Sequence, residues 1–352
     1  MTINPGSTST KIAVFQCNDL VFLKNIKHST KELDKFKNII EQYEFRKNII
    51  IEELKTAHIE IDEIDAVVAR GGLVKPIPSG VYIVNKKLKE DLQKGVQGQH
   101  ASNLGGLIAD NIASLLPHAK AYIADPVVVD ELNDVARITG HPELEKNSVF
   151  HALNQKAIAR THARAIGKIY EELNLIVAHL GGGISVGAHN NGKVIDVNQA
   201  LDGNGPFSPE RTGSLPVGKL VTLCFSGKYS EEEIRKMLVG KGGYVAYLGT
   251  NNAYEVGVRA NDGDEKAKLI QEALAYQVSK EIGSLAAVLK GKVDAILLTG
   301  GIAYNNNFIV LIKEMVEFIA PVGVYPGEDE MKALATNGLM ILNGELEALT
   351  YK

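Results

Sequence analysis

Cysteine is almost absent. Cys17 and Cys224 are far apart and belong to neither a CxxC nor a Cys/His cluster, which excludes a disulfide framework and suggests no zinc site. A reduced, cytoplasmic compartment is the expectation. No charge of either sign dominates: the formal net charge is −4, with acidic and basic residues mixed throughout. Such a chain offers no field for a polyanion, so nucleic acid is not expected as a partner. No apolar run approaches the roughly 18 residues of a membrane span. The first glycine-bearing loop comes at Gly6, so neither a signal peptide nor a membrane partner is expected. A hydrophobic content of 45% and a charged content of 23% over 352 residues describe a globular chain long enough for two domains.

Also missing are the common phosphate-binding signatures, since there is no GxxxxGK[ST] and no GxGxxG opening a helix. What is present instead is Ile3 to Lys11, INPGSTSTK. A short strand enters a loop of small and hydroxyl-bearing residues and leaves again as a strand. Small residues let backbone N–H groups approach an anion, and the hydroxyls of Ser7 and Ser9 add donors. A plain Ser/Thr-rich β-turn has the same pattern. Leu175 to Ala188, LIVAHLGGGISVGA, repeats the design around Gly181, Gly182 and Gly183. Asn190-Asn191-Gly192 then supplies a tight hairpin turn before another strand.

A second pair of segments repeats as well: Ile64 to Gly72 is IDAVVARGG and Val293 to Gly301 is VDAILLTGG. The chain therefore reads as an internal duplication whose second half carries an insertion, expected between Leu201 and Asp262. Chance similarity of apolar strands is the alternative. Helical patterns are expected over 86–94, 104–116, 151–173, 263–289, 305–318 and 327–345. Hairpins and strand–helix alternation in two similar halves predict α/β architecture with mixed sheets and an ATP cleft between the domains. The expected domains are 1–150 and 151–330, with the last helix, about 331–352, packing back on the first.

INPGSTSTK, HLGGGISVGA, ILLTGGIAYN and YPGEDEMKALA together resemble the acetokinase family of acyl-phosphate-forming kinases. QGQHASNLGG, DPVVVDELNDVARITG, FHALNQKAIAR and DGNGPFSPERTGSLPVG look like the butanoate-using branch of that family rather than the acetate-using one. The resemblance implies twin ribonuclease H-like domains of the actin/hexokinase/Hsp70 type that close on Mg-ATP, and the reaction ATP + butanoate ⇌ ADP + butanoyl phosphate. A carboxylate is already anionic at neutral pH, so this nucleophile needs no general base. Catalysis then reduces to positioning and to neutralising the transferring phosphoryl group.

The same resemblance places Asn4, Ser7 and Ser9 in the first phosphate loop. Lys11 is within reach of a phosphate or is a solvated strand end. His179 and Gly181 to Gly183 fall in the second loop, and Gly300 and Gly301 in an adenosine turn that also suits a plain strand-to-helix turn. His100 and His151 match histidines that contact the phosphoryl, and Asp125 an acid that holds Mg2+ or orients the site. Of Glu328, Asp329 and Glu330, one matches a metal-linked glutamate, with Glu328 and Glu330 preferred. Ala69, Phe150 and Pro209 fall where the family lines its acyl pocket. The catalytic arginines of the acetate enzymes have no counterpart at their own positions. Arg70 and Arg211 are expected to replace them, because a planar guanidinium fork suits both a carboxylate and a phosphoryl; packing salt bridges are the alternative. A homodimer or higher homo-oligomer, with ATP and a short-chain carboxylic acid as small-molecule partners, completes the expectation.

Overall fold

Alternating apolar residues build the first hairpins. Ile3 and Ile12, partners across the hairpin, have no exposure because they face the core of a sheet whose strands β1 (Thr2–Pro5), β2 (Ser9–Gln16) and β3 (Asp19–Lys27) run antiparallel. Cys17, at φ 53°, turns β2 into β3. The structure is a computed structural model describing residues 1–352. The chain divides into two units, Met1–Val129 with Asp329–Lys352, and Asp130–Glu328.

The first unit continues through α1 (Thr30–Leu33), opened by the Ser29/Glu32 capping box, α2 (Tyr43–Thr56), β4 (Ala66–Arg70), β5 (Val81–Ile83), α3 (Lys86–Lys94), α4 (Asn103–Ala113) and β6 (Lys120–Ala124). The chain returns to it with α13 (Glu330–Leu342) and β12 (Leu349–Thr350). Its sheet has the order β12-β5-β6-β4-β1-β2-β3. Ile3, Ile12, Val67, Leu104, Ile108 and Ile123 fill the core. α13 packs on β4 and β1.

The second unit holds α5 (Asp134–Arg137), α6 (Ala152–Ala165), β7 (Asn174–Leu180), β8 (Ile184–Asn190), β9 (Lys193–Val197), α7 (Val217–Cys224), α8 (Glu231–Leu238), α9 (Gly243–Leu248), α10 (Ala253–Asn261), α11 (Glu265–Val288), β10 (Ala295–Gly300), α12 (Asn306–Val316) and β11 (Val322–Pro326). Its sheet is β11-β10-β7-β8-β9. That order, with β7, β8 and β9 antiparallel and β10 and β11 parallel to β7, reproduces β6-β4-β1-β2-β3 of the first unit. The duplication is therefore a property of the fold. Helices α7 to α10 form the insertion, inside the interval expected for it.

Two expectations are corrected. The helical pattern over 151–173 is a helix only to Ala165, because Gly167 takes φ 69° and a separate turn at Tyr170–Glu172 follows. The first unit ends at Val129 and not at 150. Residues 130–150 hydrogen-bond into the second sheet, with Asn133 N–H donating to Ile195 O at 2.9 Å, Ala200 N–H to Val149 O at 2.9 Å and Lys146 Nζ to Asp196 Oδ1 at 2.5 Å. No helix is long and apolar enough to cross a membrane.

Candidate functional site

The first loop, Gly6 to Thr8, joins β1 to β2, and Gly6 N–H donates to Ser9 O at 2.8 Å. Its carbonyls are held from behind by Arg46, a residue the loop motif does not contain. Arg46 Nη1 donates to Gly6 O (2.7 Å), Ser9 O (3.0 Å) and Thr10 Oγ1 (3.1 Å), and Nη2 donates to Ser7 O (3.0 Å). Thr8 O accepts from His28 N–H. With the carbonyls engaged, the exposed side of the loop at Ser7 and Thr8 presents amides and hydroxyls, the donors an anion needs. Burial lowers the Arg46 pKa to about 10, so the guanidinium stays charged at neutral pH. A fixed cation behind an anion loop favours the anion. Sequence reasoning missed Arg46, although a signal was there: Arg46, Ile50 and Leu54 share the buried face of α2, so a charge sits on an apolar stripe.

Asn4 and Arg70 end the neighbouring strands β1 and β4, and Glu330, the first residue of α13, joins them. Its carboxylate accepts from Asn4 Nδ2 and lies 3.2 Å from Arg70 Nη1. Lys11 is directly opposite Asn4 in the β1–β2 register and therefore emerges on the same face. Asp125, just past β6, is buried at the unusual φ of 36°. Its Oδ1 accepts from Ser79 Oγ at 2.6 Å and Gly80 N–H at 2.9 Å, which fixes the carboxylate. His100 is exposed at the approach to α4, and its Nδ1 accepts Ser102 N–H at 3.2 Å, so its ring hydrogen is on Nε2. Ala69 has no exposure and belongs to the core beneath α4. A Cβ on Gly105 of α4 would lie 3.2 Å from it, so α4 packs closely over Ala69. Phe150 and Pro209, in the second unit, are both buried.

The second loop, Gly181 to Gly183, joins β7 to β8, closed by Gly181 N–H to Gly183 O at 3.1 Å. His179 at the end of β7 is buried; its Nδ1 meets Asn154 Oδ1 at 2.8 Å and its Nε2 meets Glu328 Oε1 at 3.1 Å. The ring of His151, just before α6, stacks on it with centroids 3.8 Å apart and planes 11° from parallel. His151 Nδ1 meets Ser185 Oγ at 2.9 Å.

The three loop glycines differ. A Cβ on Gly183 would lie 2.1 Å from Arg211 Nη1, one on Gly181 would lie 2.8 Å from Glu328 Oε1, and one on exposed Gly182 would meet nothing nearer than 3.8 Å. Gly183 is thus the space in which the Arg211 guanidinium lies against the loop. Nη1 of Arg211 donates to Ala200 O at 2.5 Å, while its Nε is buried without a protein partner. Burial lowers the Arg211 pKa, opposed by Glu210 and Asp202. An N–H donor left unspent on a buried cation is costly unless something binds it.

Gly300 and Gly301 also separate. Gly300 has φ 91° and a Cβ there would fall 2.3 Å from Leu180 O, so the meeting of β10 with β7 requires it. A Cβ on Gly301 meets nothing within 4 Å. Gly301 lines a cavity of about 470 Å³ with Tyr254, Gly257, Asn261, Tyr304 and Asn305, apolar surface with a few amides, suited to a flat heterocycle. The three consecutive acids have three settings: Glu328 faces His179, Asp329 caps α13 by accepting Lys332 N–H at 3.0 Å, and Glu330 holds Asn4 and Arg70. Asp329 is accounted for by its helix.

The sequence profile of the acetokinase family matches residues 146–342. Butyrate kinase 2 and butyrate kinase 1 of Clostridium acetobutylicum are 60% and 56% identical to this chain, each alignment covering 100% of it and 99% of the relative. Among solved structures, acetate kinase of Porphyromonas gingivalis superposes with a TM-score of 0.80 at 19% identity, over 97% of this chain and 98% of that one.

Proposed function

We propose that this chain, which belongs to the acetokinase family, transfers the γ-phosphoryl of ATP reversibly to the carboxylate of butanoate, giving ADP and butanoyl phosphate. Full-length identity of 60% to a butyrate kinase supports the acyl class. The observation that carries the phosphoryl chemistry is Arg211, a partly spent guanidinium seated in the space left by Gly183.

The roles follow from the surroundings. The amides and hydroxyls of Asn4 to Ser9 and the amides of Gly181 to Gly183 bind phosphate oxygens, with Lys11 able to neutralise one of them. The cavity at Gly301 takes the adenine. Arg211, His151 and His179 stabilise charge on the transferring phosphoryl, where fixed donors act without reorganising. Arg70, oriented by Glu330, grips the substrate carboxylate as a fork. His100, with its ring hydrogen on Nε2, is a further donor. Phe150 and Pro209 are proposed to face the acyl chain.

Mg2+ requires hard oxygen donors and is usually held by one or two carboxylates plus substrate phosphates. Asp125, anchored through Oδ1, fits that chemistry best. Glu328 and Glu330 are oxygen donors as well, each already paired with a nitrogen group. When bound, the ion would neutralise phosphate charge. Homo-oligomerisation is supported by Val217, Val221 and Phe225, 73%, 50% and 87% exposed along one face of α7, and light scattering would measure it.

Trapping the acyl phosphate with hydroxylamine across C2 to C5 acids tests the reading. Butanoate or a branched C4–C5 acid should exceed acetate in kcat/KM by at least about 10–200-fold, the discrimination that a single methylene allows. An acetate value equal to or above that for butanoate would make this an acetate or propionate kinase. ATP turnover indifferent to any acid would make it an ATPase without a small acceptor.

A further inference from the structure

Behind the second loop runs a buried chain of polar side chains that the transfer reading leaves without a task. Tyr170 Oη lies 2.7 Å from His189 Nδ1, His189 Nε2 is 3.0 Å from Gln155 Oε1, Gln155 Nε2 is 2.8 Å from Ser185 Oγ, and Ser185 Oγ is 2.9 Å from His151 Nδ1. Gln155, Ser185 and His189 have no exposure.

One carbonyl sets the polarity of the whole chain. Ser185 O can only accept, so the Gln155 atom 3.0 Å from it is Nε2 and the amide cannot be turned over. Gln155 Oε1 therefore faces His189 Nε2, which must carry a hydrogen. Burial, with Lys156 and Arg160 nearby, holds the His189 pKa well below its ordinary value; the ring is neutral, and its Nδ1 accepts the Tyr170 hydroxyl. At the other end Ser185 Oγ accepts from Gln155 Nε2 and from the His151 backbone N–H at 3.4 Å, which occupies both of its lone pairs, so its own hydrogen goes to His151 Nδ1. The remaining ring hydrogen of His151 is then on Nε2. Gly187 makes room for this chain, since a Cβ there would stand 2.6 Å from Gln155 Oε1.

We propose that Gln155, acting through Ser185, is a positioning residue that holds His151 as the neutral Nε2–H tautomer, so that its ring offers a donor to a phosphoryl oxygen. The proposal rests on the reading that His151 contacts the phosphoryl. A neutral donor also spares two rings stacked at 3.8 Å from carrying like charge together.

Gln155→Glu tests it by inverting the polarity: a carboxylate accepts from Ser185 Oγ–H, Ser185 then accepts from His151, and the ring hydrogen moves to Nδ1. Long-range 15N–1H correlation spectra of the histidine-labelled full-length protein, with His151 assigned from the His151→Gln spectrum, should show His151 as Nε2–H alone in wild type and Nδ1–H in Gln155→Glu. The kcat should fall about 10–100-fold while KM for ATP and butanoate stays within about twofold. If the buried acid prevents folding, Ser185→Ala should give mixed His151 tautomers and a similar loss of kcat. Ser185→Thr, which keeps the hydroxyl, should restore both. A wild-type His151 protonated on Nδ1, or a His151 tautomer unchanged in Gln155→Glu and Ser185→Ala, would overturn the relay. Wild-type kcat in His151→Gln would instead overturn the phosphoryl reading, and with it the use assigned to the tautomer.

Discussion

The loops Gly6 to Thr8 and Gly181 to Gly183 occupy the same place in duplicated sheets, and the duplication reaches one pair of side chains beside them while the others diverge. Asn4, opposite Lys11 in the β1–β2 register, corresponds to His179, opposite Ser185 in the β7–β8 register; the first loop is one residue longer, so Thr10 corresponds to Ile184 and not to Ser185. Asn4 is bonded to Glu330 and His179 to Glu328. Thr10 and Ser185 are both fully buried, and each hydroxyl lies 2.9 Å from a histidine nitrogen, of His28 and His151 respectively. Each also accepts from a buried donor, Arg46 for Thr10 and Gln155 for Ser185.

The difference is where the cation stands. In the first unit Arg46 lies behind the loop and is consumed by its carbonyls, and His28 is buried with Nδ1 unpartnered. In the second unit the cation, Arg211, lies against the loop glycines with its Nε unspent. One half holds its loop rigid and the other keeps its charge for a ligand. The two buried hydroxyls stand at non-equivalent positions, on opposite faces of the duplicated sheets, and each is satisfied by its own partners because burial demands it.

The largest effect should come from the cation left available. Arg211→Ala is expected to lower kcat by about 10²–10³, some 2.7–4 kcal/mol, with little change in butanoate KM. Gly183→Ala should lower kcat through the same arginine and add little in an Arg211→Ala background, because the two share one interaction. Independent, additive losses in that cycle would break the contrast.

Next is the cation that is spent. Arg46→Met leaves several inward carbonyls without donors and should destabilise the first unit by about 2–4 kcal/mol while raising ATP KM more than it lowers kcat. Thermal melts with steady-state kinetics measure both. Unchanged stability would mean that the loop does not need its brace.

Arg70→Ala should then raise butanoate KM by about 10–100-fold, the range for a lost charge-assisted pair, and leave ATP KM alone. A kcat effect in its place, with KM unmoved, would exchange the roles of Arg70 and Arg211.

The smallest effect is a slope in pH. His189 has a folded pKa held well below 6.5 by burial, helped by Lys156 and Arg160, so below that pH the unfolded chain binds more protons than the folded one. Stability from this group is complete above about pH 6.5 and is lost as pH falls below it, by at most about 1.4 kcal/mol per pH unit. His189→Gln should flatten the acid limb of a denaturation series; an unaltered limb would place the titration elsewhere, with His28 and His162, also lowered by burial, the groups to test.

Much of this was legible in the residues themselves. INPGSTSTK and HLGGGISVGA announced two strand–loop–strand units, and Ile64 to Gly72 against Val293 to Gly301 announced that the sheets repeat. The insertion lay between Leu201 and Asp262, as expected. What could not be read was any contact across the chain. Arg46 looked like one more charged residue of an amphipathic helix until α2 placed it behind Gly6 and Ser9. The close packing of α4 over Ala69 is likewise a contact that only the fold shows.

The sequence by itself determined the local designs: small residues where backbone must approach an anion, alternation where a strand has one buried face, Asn191-Gly192 where the hairpin needs positive φ. These follow from chain stereochemistry within a few residues. Only the tertiary structure decided which glycine serves the fold and which leaves room, as Gly300 and Gly301 differ. It alone separated Glu328, Asp329 and Glu330, and distinguished the arginine whose donors are satisfied from the one whose donors are not. Those are questions of what lies within 3 Å of an atom, and residues far apart in the chain supply the answer because burial forces every polar group to find a partner wherever the packing brings one.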